Sequence, residues 1–167
     1  CFYPQPDAGS LEKLSHYSRF FDTVEVRSTF WDESLTAGDA QQWITAVKDN
    51  KRFTFAIKLH SLFTHKKTIT PQLTKNTRGI LQELAKNDRL AALLVQLPYS
   101  FTNISTNRFH LVKLGEIFNG FPVHVEFRHD SWNQPTLMNF LSENRLCPVS
   151  ADFPRAKQYM PFITGVV

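Results

Sequence analysis

Val123-His124-Val125-Glu126-Phe127-Arg128-His129-Asp130-Ser131-Trp132 decides how the chain is read. Apolar Val123, Val125 and Phe127 alternate with polar His124, Glu126 and Arg128. Successive side chains of an extended strand point to opposite faces. One face is therefore greasy, and the other carries an imidazole, a carboxylate and a guanidinium. Glu and Arg two residues apart on one face are not ordinary core composition. His129, Asp130, Ser131 and Trp132 follow at once, where the strand enters a loop. The alternation predicts a strand over residues 122–128 with a chemistry-bearing downstream tip.

The design recurs along the chain. Residues 23–29 alternate Val24 and Val26 with Glu25 and Arg27. Residues 53–59 put Phe53, Phe55, Ile57 and Leu59 on one side, and Thr54, Ala56, Lys58 and then His60 on the other. Residues 90–97 are apolar until Gln96, and Pro98 closes the run. Residues 147–152 form a last strand in which Ser150 leads to Asp152. Between the strands, 3.6-residue periodicity predicts helices over residues 10–21, 38–50, 72–87, 106–119 and 134–144. Ser10 is a candidate N-cap of the first, and Gly120 follows the fourth as a C-cap candidate. Residues 60–71 read as one long loop, and loops of about 12 residues are uncommon unless they serve a purpose.

Strand and helix in alternation specify an α/β fold with a parallel sheet and helical crossovers. No repeat and no linker divides residues 1–167, so they read as a single domain. Parallel strands are usually apolar on both faces. Here the second face turns polar late in each strand, at Glu25 and Arg27, Lys58, Gln96, Glu126 and Arg128, and Asp152. If the sheet curls into a (β/α) barrel, these residues converge in its carboxyl-terminal mouth, where barrel active sites form.

Composition narrows the class. The 42% hydrophobic and 20% charged shares are those of a globular chain rather than a disordered one. No apolar run approaches the roughly 20 residues of a membrane helix. The opening Cys1-Phe2-Tyr3-Pro4 has no basic-then-apolar signal pattern. The two cysteines, Cys1 and Cys147, are too few for a disulfide framework, and a cytoplasmic location is expected. Cys147 reads as an inert core position. The net charge of +4 comes from scattered residues, so it permits anionic partners without requiring them.

At these same positions the chain resembles the YecE-like family, the domain of unknown function number 72. The matching motifs are Thr23-Val-Glu-Val-Arg-Ser-Thr-Phe30, Phe53-Thr-Phe-Ala-Ile-Lys58 with Thr64-His65, Leu94-Val-Gln-Leu-Pro98, Val125-Glu-Phe-Arg-His129 with Ser131-Trp132, and Ala151-Asp152. They run in order across nearly the whole chain. The resemblance implies a TIM barrel and no particular reaction. Against that family's pattern, Arg27 stands where asparagine is usual. Family members also carry a strand before the Phe-Tyr-Pro segment and two beyond residue 167. The resemblance therefore implies a partial barrel of about five parallel strands, with the first and last strands of the full barrel missing.

Glu25, Lys58, Glu126 and Asp152 are the candidate catalytic residues, and Arg27, His65, Gln96, Arg128, His129 and Trp132 the candidate substrate-binding ones. The carboxylates suit general acid/base work. Lys58 suits phosphate binding, oxyanion stabilisation or a Schiff base. The competing reading is structural pairing of Glu126 with Arg128 and of Lys58 with one of the acids. Trp31, Phe63, Tyr99 and Trp132 follow strand ends, either as a stacking wall or as packing. His60, His65 and His129 are potential metal ligands, but no His-x-His spacing supports a metal, and neither metal nor cofactor is assigned. The expected function is a hydrolase or lyase acting on a small anionic or phosphate-bearing substrate. The alternatives are a metal-assisted nucleic-acid-processing or nucleic-acid-binding barrel, motivated by Lys66-Lys67 beside the histidines, and a small-ligand binding module without chemistry.

Overall fold

The structure is a computed structural model that describes residues 2–3 and 7–151. Five strands form one sheet: β1 (Thr23–Val26), β2 (Thr54–Lys58), β3 (Leu90–Gln96), β4 (Val123–Glu126) and β5 (Leu146–Val149). Among the described residues six helices accompany them: α1 (Ser10–Tyr17), α2 (Ala37–Ala46), α3 (Ser61–Thr64), α4 (Pro71–Lys86), α5 (Ser105–Ile117) and α6 (Leu137–Glu143). Short 3-10 turns lie at Ser28–Phe30 and Asp130–Trp132.

Every adjacent strand pair is parallel, and the spatial order is β1-β2-β3-β4-β5. That order carries the architecture. Right-handed crossovers that always advance in one direction lay their helices on one face of the sheet. A doubly wound sheet would reverse direction partway. The sheet is open, and its strand order is that of a partial TIM-like barrel whose other face is the inner one.

The register shows which residues share a face. Val26, Ile57, Leu93, Val123 and Leu146 stand in one row across the sheet. With Phe55, Leu59, Val95, Leu97, Val125 and Phe127 they make the helix-facing side, nearly all of it buried in one core. Lys58, Leu94, His124 and Cys147 form a row on the opposite side, with Gln96, Glu126 and Val149 in the row above. Cys147 is exposed on that side, not core as the sequence suggests, because the inner face is open there.

Several boundaries differ from the periodicity, for local reasons. Gly9, not Ser10, caps α1, and its N–H donates to Glu12 Oε2 at 3.2 Å. Thr36 and Asp39 form the capping box of α2. Thr70 caps α4 and Pro71 occupies its first turn, where a missing N–H costs nothing. The long loop after β2 contains one helical turn, α3, capped by His60. At the amino-terminal ends of the strands, buried Arg89 Nη1 lies 2.8–2.9 Å from the carbonyls of Asn50, Lys51 and Phe53. That end is a structural seal.

Candidate functional site

The carboxyl-terminal tips of β2, β3 and β4 are joined by their side chains. Lys58 Nζ donates to Gln96 Oε1 at 2.6 Å. Gln96 Nε2 donates to Glu126 Oε1 at 2.9 Å. Arg128 Nε lies 2.7 Å from the same carboxylate oxygen. The Gln96 amide has only one orientation that serves both neighbours, oxygen to the ammonium and NH2 to the carboxylate. Lys58 is 8% exposed and Glu126 6%, so these charges stand largely out of water. Buried charge persists only where it is paired and hydrogen-bonded, which this relay provides.

The turn after β1 closes over the lysine. Thr29 Oγ1 lies 2.7 Å from Lys58 O and 2.9 Å from Val26 O, sharing one hydroxyl proton between two carbonyls. Phe30 puts its ring 4.7 Å from Lys58 Nζ. Burial lowers the pKa of the Lys58 ammonium from its ordinary value of 10.5. Glu25 opposes that shift, Arg27 reinforces it, and Glu126 and Arg128 act in those same two senses. Glu25 and Arg27 are thus within electrostatic reach of Lys58, although both are exposed. Arg27 is not in the strand as expected. β1 stops at Val26, and Arg27 adopts φ −93° and ψ −19° at the start of the 3-10 turn.

His65 follows α3 with its ring 5.1 Å from that of Phe30 and its Nδ1 2.8 Å from Thr64 Oγ1. Burial and the charges of Lys58 and Lys66 lower its pKa from 6.5. His60 is 5% exposed; its Nδ1 accepts the Leu62 N–H, which leaves the neutral ring's proton on Nε2. That Nε2 is buried and has no hydrogen-bond partner among the described residues.

Other expected site residues serve the framework. Trp132 is fully buried, donates from Nε1 to Phe101 O at 2.7 Å, and stacks on Phe127 at 4.4 Å. No ring face remains for a ligand, so the substrate-binding expectation for Trp132 is corrected to packing. Phe63 is likewise core. His129 caps the 3-10 turn by accepting the Ser131 N–H, and its ring lies 4.8 Å from that of Tyr99. Lys67 donates to Asn107 Oδ1 at 2.8 Å, so half of the Lys66-Lys67 pair is a loop tie. Asp152 lies outside the described residues.

Sequence reasoning missed the roles of Thr29 and Phe30. Their signal is the breakdown of alternation after Arg27, which marks a turn rather than more strand. Among the described residues no group of three or more His, Cys, Asp and Glu side chains has the spacing to hold a metal. None of the described helices is long and apolar enough to cross a membrane. A cleft of about 450 Å³ opens at the other end of the strands, beside Arg19, Asp22, Lys51 and Arg52. Arg52 and Asp22 pair there at 3.3 Å, and Asn50 Nδ2 donates to Ser18 O and Asp22 Oδ1.

No curated protein matches this chain. Among solved structures, a DUF72 family protein from Enterococcus faecalis matches with a TM-score of 0.78 at 24% identity, over 94% of this chain and 66% of that one. A DUF72 family protein from Thermotoga maritima matches with a TM-score of 0.77 at 22% identity, over 95% of this chain and 62% of that one. At such identities the likeness establishes the fold alone. The chain spans just under two thirds of the length of these neighbours. The family described as protein of unknown function DUF72 matches residues 1–167. This chain belongs to the DUF72 family.

Proposed function

We propose that the mouth binds a small anionic or phosphate-bearing substrate, and that the protein is an enzyme of hydrolase or lyase type. The observation that carries this reading is the Lys58–Gln96–Glu126–Arg128 relay. Lys58 reaches the Glu126 carboxylate through the neutral Gln96 amide and Arg128 pairs with it directly, so two cations share one carboxylate and the group keeps a net positive charge in a poorly hydrated place. An incoming anion offsets that charge, and the low local polarity strengthens its attraction. Lys58 and Arg128 hold the anion. Glu126 and Glu25 are the acid/base candidates, with Asp152 a third carboxylate from the chain beyond β5. A structural ion pair would need only Glu126 and Arg128. The additional lysine and amide are what favour a ligand site.

The test is calorimetric titration of the intact protein with inorganic phosphate and pyrophosphate, followed by a turnover screen on phosphate esters. Binding is expected, with affinity falling at least about tenfold in Lys58→Met and Arg128→Met, since a charge-assisted contact contributes roughly 1.5–3 kcal/mol. Wild-type affinity in both variants contradicts the anion site. Binding without turnover of any ester contradicts the enzymatic half of the reading.

A further inference from the structure

Trp31 is 75% exposed, the most exposed large hydrophobic side chain among the described residues. Its backbone is nevertheless tied into a hydrogen-bonded turn. Its N–H and that of Asp32 both donate to Ser28 O at 3.0 Å, and Thr29 ties the same turn to the carbonyls of Val26 and Lys58. The indole meets Phe30 edge to face, with ring centres 4.5 Å apart and planes at 88°. Phe30 in turn lies 4.7 Å from the Lys58 ammonium. One short turn thus carries a cation at Arg27, a buried ring against one side of Lys58, and an exposed ring beside it.

An indole held this way is a poor use of apolar surface for folding. It is a good platform for a ligand, because an aromatic side chain offers a large amphipathic face with only two side-chain torsions to order, and its contact with Phe30 orients this one. Resting on the anion site proposed above, we propose that the ligand's anionic group is joined to a flat-faced ring, and that this ring stacks on Trp31. The anionic end sits at Lys58 and Arg128, and the ring lies over the turn that follows β1. The shared chemistry is a flat face beside an anion, and a heteroaromatic base or a sugar can supply it.

The experiment measures binding of inorganic phosphate, adenosine monophosphate, glucose-6-phosphate and adenosine to the intact protein, by calorimetry and by tryptophan fluorescence. Trp132 is fully buried and Trp43 half-buried, so a quench on binding reports chiefly on Trp31. At least one ringed phosphate is expected to bind about tenfold or more tightly than inorganic phosphate, since stacking gains of that size are ordinary. Trp31→Ala is expected to abolish that gain and leave the affinity for inorganic phosphate unchanged. Adenosine monophosphate and glucose-6-phosphate distinguish a base from a sugar. The proposal is overturned if neither binds more tightly than inorganic phosphate, if the gain survives Trp31→Ala, or if acrylamide cannot reach Trp31 in the unliganded protein. Phosphate binding that ignores both Lys58→Met and Arg128→Met brings down the anion site itself, a separate failure from loss of the ring preference alone.

Discussion

Gln96 is the residue on which the site turns, since its one amide touches both a cation and the carboxylate. Gln96→Leu keeps the bulk and removes both hydrogen bonds, leaving Lys58 and Glu126 buried with fewer partners. A loss of about 2–4 kcal/mol by urea unfolding is expected, together with weakened phosphate binding. Trp132→Phe deletes the bond to Phe101 O, and should cost about 1–2 kcal/mol while leaving phosphate affinity untouched. Lys58 itself gives a pH signature. Only its charged form holds an anion, and its pKa lies below 10.5, so phosphate affinity should fall with rising pH before a free lysine would titrate. Lys58→Arg should remove that fall, because a guanidinium stays charged throughout. Calorimetry from about pH 8 upward, where phosphate is already dianionic, checks it. Glu126 and Arg128 are legible in the alternation of residues 122–128, and Lys58 and Gln96 in the patterns of their own strands. The misplacement of Trp132 has a plain cause: an aromatic after a strand tip looks alike in sequence whether it faces a mouth or folds back under a turn.

Elements, rather than single side chains, explain where the sequence reading slipped. The spans of β2 and β3 were readable because their apolar residues repeat cleanly and proline or polar residues end them. β1 was not, because Arg27 continues the alternation in sequence while Thr29 draws the backbone into a turn through contacts with Lys58, 29 residues away. α3 was hidden for a related reason. Its four residues have no period to detect, and its cap is a histidine. The helix layer makes its own prediction at Gly115. A Cβ on Gly115 of α5 would lie 3.0 Å from Asn144 O and 3.4 Å from a Leu146 methyl. Gly115→Ala should push α5 off the start of β5 and lower stability by about 1–3 kcal/mol in chemical denaturation. Phosphate binding should survive, because the contact lies at the end of the sheet opposite the relay.

At the scale of the whole molecule, strand order made the polar tips converge. Sequential parallel strands in the order β1-β2-β3-β4-β5 bring the side chains of β2, β3 and β4 within hydrogen-bonding distance at one end. Alternation shows which residues share a face, but only the register shows that Lys58, Gln96 and Glu126 touch. Burial is the largest cause that lowers the pKa of His65, His110 and His124 from 6.5. In each case the unfolded chain takes up its proton at a higher pH than the folded one. Stability is therefore full above 6.5 and declines as pH falls through and below that value. Thermal melts across this range should show the decline, and His110→Gln should flatten it.

The central claim is that the cationic end of this sheet is its carboxyl-terminal mouth. The most direct measurement is the position of a bound tungstate, a heavy stand-in for phosphate, located by anomalous diffraction from crystals of the intact protein. The account predicts the ion within hydrogen-bonding distance of Lys58 Nζ and the Arg128 guanidinium. Tungstate found only at the opposite end, among Arg19, Lys51 and Arg52, would contradict it.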